Sequence, residues 1–312
     1  MELFFDAILR AGRGAVELSL FVLLPIMVVM LSAMRLLEAK GVLDWLVARL
    51  APILRPLGLT GLGVFAALQI SFVSFAAPVA TLAMMEQRGA SDRHLAATLA
   101  MVLAMAQANT VFPMTTMGLR LLPVLALSLL GGLVAAAATY HGFGRRLDPD
   151  ERALEETLPH PVADSTKGLL EAINRAGAEA FRIAIGAIPM LVLSLAVITL
   201  LRSAGAIGLL TRALGPAMAA LRLDPALILP TLTKYLAGGT AMMGVVDEMT
   251  RQAQITGALV NRSAGFLIHP LDVPGVAVLI SAGRRVATVW KPAVLGACAG
   301  ILVRTLGHAL LG

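Results

Sequence analysis

Four clusters of polar residues interrupt long apolar runs, and they carry whatever chemistry this chain performs. The first is Gln69, Ser71 and Ser74, and the second is Gln107, Asn109 and Thr110. Lys234, Gly238, Gly239 and Thr240 form the third, and His269 and Asp272 the fourth. Prolines and paired glycines accompany them (Pro78, Pro113, Pro230, Pro270, Pro274), so each cluster marks a place where a helix breaks. Broken helices expose free N–H groups at one end and carbonyls at the other, which suit polar solutes and cations respectively. Amides and hydroxyls there can hydrogen-bond a solute. Lys234 can neutralise an anionic solute or Asp272, or snorkel to an interface. His269 and Asp272 share a face if their segment is helical, and could then relay protons or ligate a metal. The alternative is that they cap half-helices and pair with Lys234 or Arg262. Asn261 and Arg262 are candidates to pair with Glu248. Glu86, Asp247 and Glu248 close the interrupted stretches and read as interfacial or structural groups.

No Walker loop, G-x-S-x-G or H-E-x-x-H occurs, which argues against an ATP-driven pump or a membrane hydrolase and for a protein that is not an enzyme. The single cysteine, Cys298, excludes an intrachain disulfide and a cysteine metal cluster. Methionines such as Met84, Met85, Met242 and Met243 read as apolar packing rather than soft-metal ligands. No cofactor is expected beyond a coupling ion, Na+ or H+.

The elements that must position these clusters are membrane helices. The 312 residues are 58% hydrophobic and 14% charged, with a mean hydropathy of +0.85. Several runs approach the ~20 apolar residues needed to cross a bilayer, and the alternation of a β-barrel is absent. The net charge of +6 is scattered between apolar runs without a basic-aromatic stripe, so it reads as membrane topology and not as nucleic-acid binding. The amino-terminal stretch carries Glu2 and Asp6 before Arg10 and shows no small-residue cleavage site, so no removable signal peptide is expected.

Along the chain, an amphipathic lead (2–14) precedes a span (15–37). An interfacial amphipathic helix (43–53) follows, with Trp45 as a headgroup-level anchor. An interrupted stretch (57–87), a broken helix (93–119) and a clean span (121–140) complete the first half. A polar segment (141–180) ends in an amphipathic helix from Ser165. The second half reads as a span (181–201), a short amphipathic helix (207–218), an interrupted stretch (221–250), a broken helix (252–282) and a last span (287–311). The two interrupted stretches are expected to be re-entrant hairpins, with the second tip near 235–240, because freed backbone groups find no partner in lipid.

The second half repeats the first. Pro25 and Pro189, Gly41 and Gly205, Pro52 and Pro216, and Arg120 and Arg284 each lie 164 residues apart, and the order of elements recurs. Such duplication marks many secondary transporters. With re-entrant hairpins each half crosses three times, so the halves are inverted. One face then collects Arg35, Lys40, Arg49, Arg55, Arg88, Arg93, Arg145, Arg146, Arg175, Arg182, Arg284, Arg285 and Lys291. The other collects Arg10, Arg13, Arg120, Arg202, Arg212, Arg222, Arg251, Arg262 and Arg304. The richer face is assigned to the cytoplasm, placing both termini outside.

This order resembles the nucleoside-recognition (gate) superfamily, whose core is similar to that of the concentrative nucleoside transporters, the spore-maturation membrane proteins and the membrane core of the bacterial ferrous-iron transporter. The resemblance covers nearly the whole chain apart from the lead and linker. It implies an all-α polytopic membrane protein with two inverted repeats, each span, amphipathic interfacial helix, re-entrant hairpin, broken helix, span. The implied divisions are a first repeat (1–140), a polar cytoplasmic linker (141–180) and a second repeat (181–312). Where nucleoside transporters carry Gln-Thr-Glu-Ala-Pro at the first hairpin tip, this chain has Ser74-Phe75-Ala76-Ala77-Pro78, so the groups that would bind a nucleobase and ribose are replaced. The expected function is a secondary transporter or facilitator in the plasma (inner) membrane for a small polar solute, nucleoside-like or otherwise. Its site would lie at the bilayer midplane, between hairpin tips and broken helices. The alternatives are a divalent metal-ion permease using His269 and Asp272, and a non-transporting scaffold or partner subunit. Expected partners are the lipid bilayer, the solute and a second copy of the chain. Small-residue faces at Gly131-Gly132 and Gly296-Ala297 would allow close helix packing or a homo-oligomer.

Overall fold

The computed structural model describes residues 2–150, 166–206, 208, 209, 212, 213, 216 and 224–311. No strand occurs among them. Most of the expected amphipathic helix at 207–218 and the middle of the polar linker lie outside the described residues.

The chain opens with α1 (Glu2–Glu17), a π-turn (Leu18–Leu23) and α2 (Leu24–Ala39), which form one unbroken span. The expected lead is therefore the first turns of that span. The π-turn has a local cause: Pro25 cannot donate a backbone hydrogen bond, and the extra residue relieves its ring against the preceding turn. α3 (Val42–Leu54) buries Leu43, Val47 and Ala51 along one face and leaves Trp45 exposed, the pattern read for 43–53. The chain then bends by 107° into α4 (Gly61–Phe72). A turn over 73–77 returns it as α5 (Pro78–Gln87), which packs against α4. The Thr81 hydroxyl donates to Gln69 Oε1 at 2.7 Å and ties the two arms together.

The centre of the molecule is α6 (Asp92–Ala104) followed, after a break at 105–107, by α7 (Ala108–Met114). Every residue of its most apolar window is buried. α8 (Leu121–Ala138) packs on α6, and α9 (Thr166–Ser203) packs on α1 and α2. α9 is one helix from Thr166, so the amphipathic helix expected from Ser165 is continuous with the expected span at 181–201.

The second half continues with α10 (Ile228–Ala237) and α11 (Gly239–Arg251), side by side and joined by Gly238 alone. Gly238 has φ 91° and ψ 174°, a backbone conformation that only glycine adopts without strain. α12 (Gly257–Leu267) and α13 (Val273–Ile280) are the two parts of the second broken helix. α14 (Arg284–Thr288) leads to α15 (Trp290–Leu311), which packs on α6, α8 and α12. Breaks fall at matching places: 105–107 in the first half, and residues from 268 to 272, which include 269–271 at the offset of 164, in the second.

Among the described residues five helices are long and apolar enough to cross a membrane. The sixth expected crossing is the one divided into α12 and α13. The small-residue faces are spent inside the chain. A Cβ on Gly131 would overlap the Arg304 side chain, and one on Gly300 would overlap Gly131 of α8. Gly131, Gly132, Gly296 and Ala297 are buried within the monomer, so of the two uses expected for these faces they serve close helix packing inside the chain.

Candidate functional site

All four breaks meet at one cavity of about 250 Å³. The first hairpin tip contributes Ser74, Phe75 and Ala76, and the first broken helix contributes Gln107 and Asn109. The second tip contributes Ala237, Gly238, Gly239 and Thr240, and the second break Asp272 and Pro274. Leu23 beside Pro25, and Ile183, Gly186, Ala187 and Met190 of α9, form an apolar wall. The volume lies just under the roughly 300–1,000 Å³ of small-molecule sites.

The polar side of the cavity is built from the ends of half-helices. Gln107 stands at the start of α7 and Gly238 at the start of α11, and neither end has a side-chain cap. The first N–H groups of a helix lack intrahelical partners. The Gln107 amide donates from Nε2 to Thr110 Oγ1 at 2.9 Å. The Asn109 amide donates from Nδ2 to Thr240 Oγ1 at 3.4 Å, linking the first break to the second tip. The other ends of both amides, Gln107 Oε1 and Asn109 Oδ1, have no partner, although the residues are only 1% and 3% exposed. Unpaired buried polar atoms are rare and costly, and here they belong to two residues that border the cavity. Both amides bond to a threonine hydroxyl, which can accept or donate, so their free ends can serve a solute as acceptor or donor. Gly239 allows this close approach, since a Cβ there would overlap the Gln107 amide.

Behind the cavity lies an ion pair that the sequence brings together over 38 residues. The Lys234 ammonium donates to Asp272 Oδ2, with the side chains 0% and 2% exposed. Asp272 Oδ1 accepts the Gly275 N–H at 2.7 Å and caps α13. His269 Nδ1 accepts the Leu271 N–H at 3.1 Å, so Nε2 carries the proton and donates to the Phe266 carbonyl at 3.0 Å. Both ring nitrogens are thus engaged in bridging the break, and neither is open to a metal. No group of three or more His, Cys, Asp or Glu that could hold a metal occurs among the described residues.

Of the twelve residues singled out from sequence, Ser74, Gln107, Asn109, Gly238, Gly239, Thr240 and Asp272 border the cavity. Gln69, Ser71, Thr110, Lys234 and His269 do not. Gln69 and Thr110 brace neighbours, and Lys234 and His269 lie one layer behind. Asp272 pairs with Lys234, while Arg262 is exposed. Asn261 does not reach Glu248. It donates to the Gly118 and Gly257 carbonyls at 2.7 and 2.6 Å and accepts the Arg120 N–H at 2.8 Å, joining the two halves of the chain. Glu86 accepts the N–H groups of Arg285 and Val286 at 3.0 and 3.2 Å and caps α14.

One charged residue was misplaced by sequence reading. Arg304, counted with the basic residues of one membrane face, is 0% exposed in the protein core. Its Nη1 donates to the Ala104 carbonyl and its Nη2 to the Ile268 carbonyl at 2.8 Å. The signal was available: a charge in the middle of an apolar span is a functional position by default.

Residues 20–126 match the family described as Gate, nucleoside recognition. No curated protein matches the sequence. In fold the chain is similar to CNTnw, a concentrative nucleoside transporter, in an inward-facing substrate-bound state. The TM-score is 0.67 at 19% identity, covering 95% of this chain and 76% of that one. A CNTnw variant in an intermediate state gives 0.66 at 20% identity, covering 95% and 77%. A doubly substituted CNTnw in an outward-facing state gives 0.65 at 18%, covering 93% and 74%. The chain is therefore an all-helical, multi-pass membrane protein with the fold of the concentrative nucleoside transporters.

Proposed function

We propose that this protein is a secondary transporter or facilitator of a small polar solute, which it binds in the cavity where the two hairpin tips and the two broken helices meet. One observation carries the reading: Gln107 and Asn109, whose buried amide oxygens have no partner, border a cavity lined by the ends of four half-helices. The match of residues 20–126 to the gate family and the likeness to a nucleoside transporter captured in inward- and outward-facing states support it. A nucleoside-like solute heads the candidates, but Ser74, Phe75 and Ala76 offer the first tip a single hydroxyl. Recognition therefore falls to Gln107, Asn109, Thr240 and the backbone N–H groups of the second tip. Residues 1–140 and 181–312 act as inverted repeats in the plasma membrane, with the linker 141–180 cytoplasmic and both termini outside. Pairings such as Arg251 with Glu17, Arg285 with Asp92 and Arg35 with Glu179 each join segments assigned to one face.

The test is thermal stability of the purified protein against nucleosides, nucleobases, small organic acids and divalent metals. A solute that binds only the folded state, present at 100 times its dissociation constant, adds about 2.7 kcal/mol. The expected result is stabilisation by a nucleoside or a comparably small polar solute that Gln107→Leu removes. Stabilisation by a divalent metal that His269→Ala removes would favour a permease instead. No response to any compound would favour a scaffold.

A further inference from the structure

We propose that Arg304 is a tethered cation that occupies the carbonyl ends of both broken helices, doing the work that a bound coupling cation would otherwise do there. α6 ends at Ala104 and α12 ends at Leu267 with Ile268 as its cap. These are the carboxyl ends of the two half-helices that lead into the cavity breaks. In transporters built from interrupted helices, such unwound carbonyls and half-helix carboxyl ends are the groups that coordinate a coupling cation. Here one guanidinium reaches both, through Nη1 to the Ala104 carbonyl and Nη2 to the Ile268 carbonyl.

The charge balance is local. Among the described residues Arg304 forms no ion pair with a carboxylate, and the buried carboxylate nearby, Asp272, is held by Lys234. A helix carboxyl terminus carries about half a negative charge. Two such termini together offset one guanidinium, which explains how an arginine persists fully buried in an apolar span without an acid. The surrounding backbone is shaped for it. α8 carries Gly131 where a Cβ would overlap the arginine stem. α12 carries Gly265 where a Cβ would lie 2.5 Å from Thr305 Cα and 2.7 Å from the Arg304 carbonyl carbon. That close approach brings Ile268 within reach of α15. The consequence is that the core of this protein is complete without sodium. Calling the position a coupling-cation site rests on the transporter reading, whereas the role of Arg304 as a resident cation does not.

The experiment melts the solute-free protein in choline, in sodium and in choline with millimolar guanidinium, at constant ionic strength. The wild type is compared with Arg304→Lys, Arg304→Met and Arg304→Ala. The wild type is expected to melt at the same temperature in choline and sodium. Arg304→Met, which keeps the stem and loses the charge, is expected to lose ~5 °C or more, and Arg304→Lys less than half of that. Guanidinium is expected to raise Arg304→Ala and leave the wild type unchanged. A wild-type melting temperature that climbs saturably with sodium overturns the proposal, and so does Arg304→Met melting at or above Arg304→Lys. If Arg304→Ala does not fold, the lysine–methionine comparison decides. Because no solute is present, a failure here is distinct from a failure to find a transported solute.

Discussion

Replacing both members of the Lys234–Asp272 pair is expected to cost this protein less than the sum of replacing each alone. The two side chains are 0% and 2% exposed, so each charge depends on the other. Asp272→Asn keeps an oxygen to accept the Gly275 N–H and removes only the charge. Lys234 is then buried without a counter-ion. Breaking a buried pair from one side costs roughly 3–5 kcal/mol, most of it the penalty of the stranded charge. Lys234→Met, which keeps the stem and strands Asp272 instead, should cost a similar amount. At roughly 2–4 °C per kcal/mol, either single variant should melt on the order of 10 °C below wild type. The double variant strands neither charge, and its loss should fall short of the sum by about 0.5–3 kcal/mol. The assay is thermal unfolding in detergent followed by tryptophan fluorescence. Strictly additive losses, or an Asp272→Asn variant that melts with the wild type, would refute the idea that these charges depend on each other.

Gly239→Val should force the Gln107 amide from its place against the second tip and reduce solute affinity about tenfold or more, read by titration against the stabilising solute. Gly238→Ala should destabilise by roughly 1–3 kcal/mol because alanine must adopt the glycine-only backbone at φ 91°, read as a lower melting temperature. Glu17→Gln removes an exposed partner of Arg251 and should change stability by less than about 1 kcal/mol, read the same way. Divalent metals should leave the melting temperatures of wild type and His269→Ala equally unmoved, since both imidazole nitrogens already serve the backbone.

The fold was legible because each element carries a local physical signal. Long apolar runs gave the spans, and Pro78, Gly238 and Pro270 marked three of the breaks, whereas Pro113 lies inside α7, beyond the break at 105–107. Prolines and glycines recur 164 residues apart, and the breaks at 105–107 and 268–272 fall at that offset. The cavity was legible in outline, since polar groups at helix breaks are placed there by the backbone itself, and Gln107, Asn109, Gly239 and Thr240 needed no tertiary information to stand out. Roles that depend on partners far along the chain were harder to read. Lys234 meets Asp272 over 38 residues, and Arg304 reaches Ala104 over 200. Arg304 was grouped with face residues because charge alone does not tell a snorkelling arginine from one held by carbonyls. The packing of Gly131 on α15 and of Gly132 on Met105 and Met101 was equally hidden, since a small-residue face looks the same whether it packs within a chain or between copies.

The most direct test of the central claim, that a small solute is carried through the cavity between the hairpin tips and broken helices, is uptake of labelled nucleosides and other small polar solutes into proteoliposomes. Wild type is compared with Ala76→Trp, with and without sodium or proton gradients. Ala76 is exposed at the first tip, so an indole there can fill the cavity without disturbing the core. Saturable uptake by wild type that Ala76→Trp abolishes while its melting temperature is retained is the predicted result. Uptake undiminished in Ala76→Trp, or wild-type uptake no greater than that of protein-free liposomes for every solute, would contradict it.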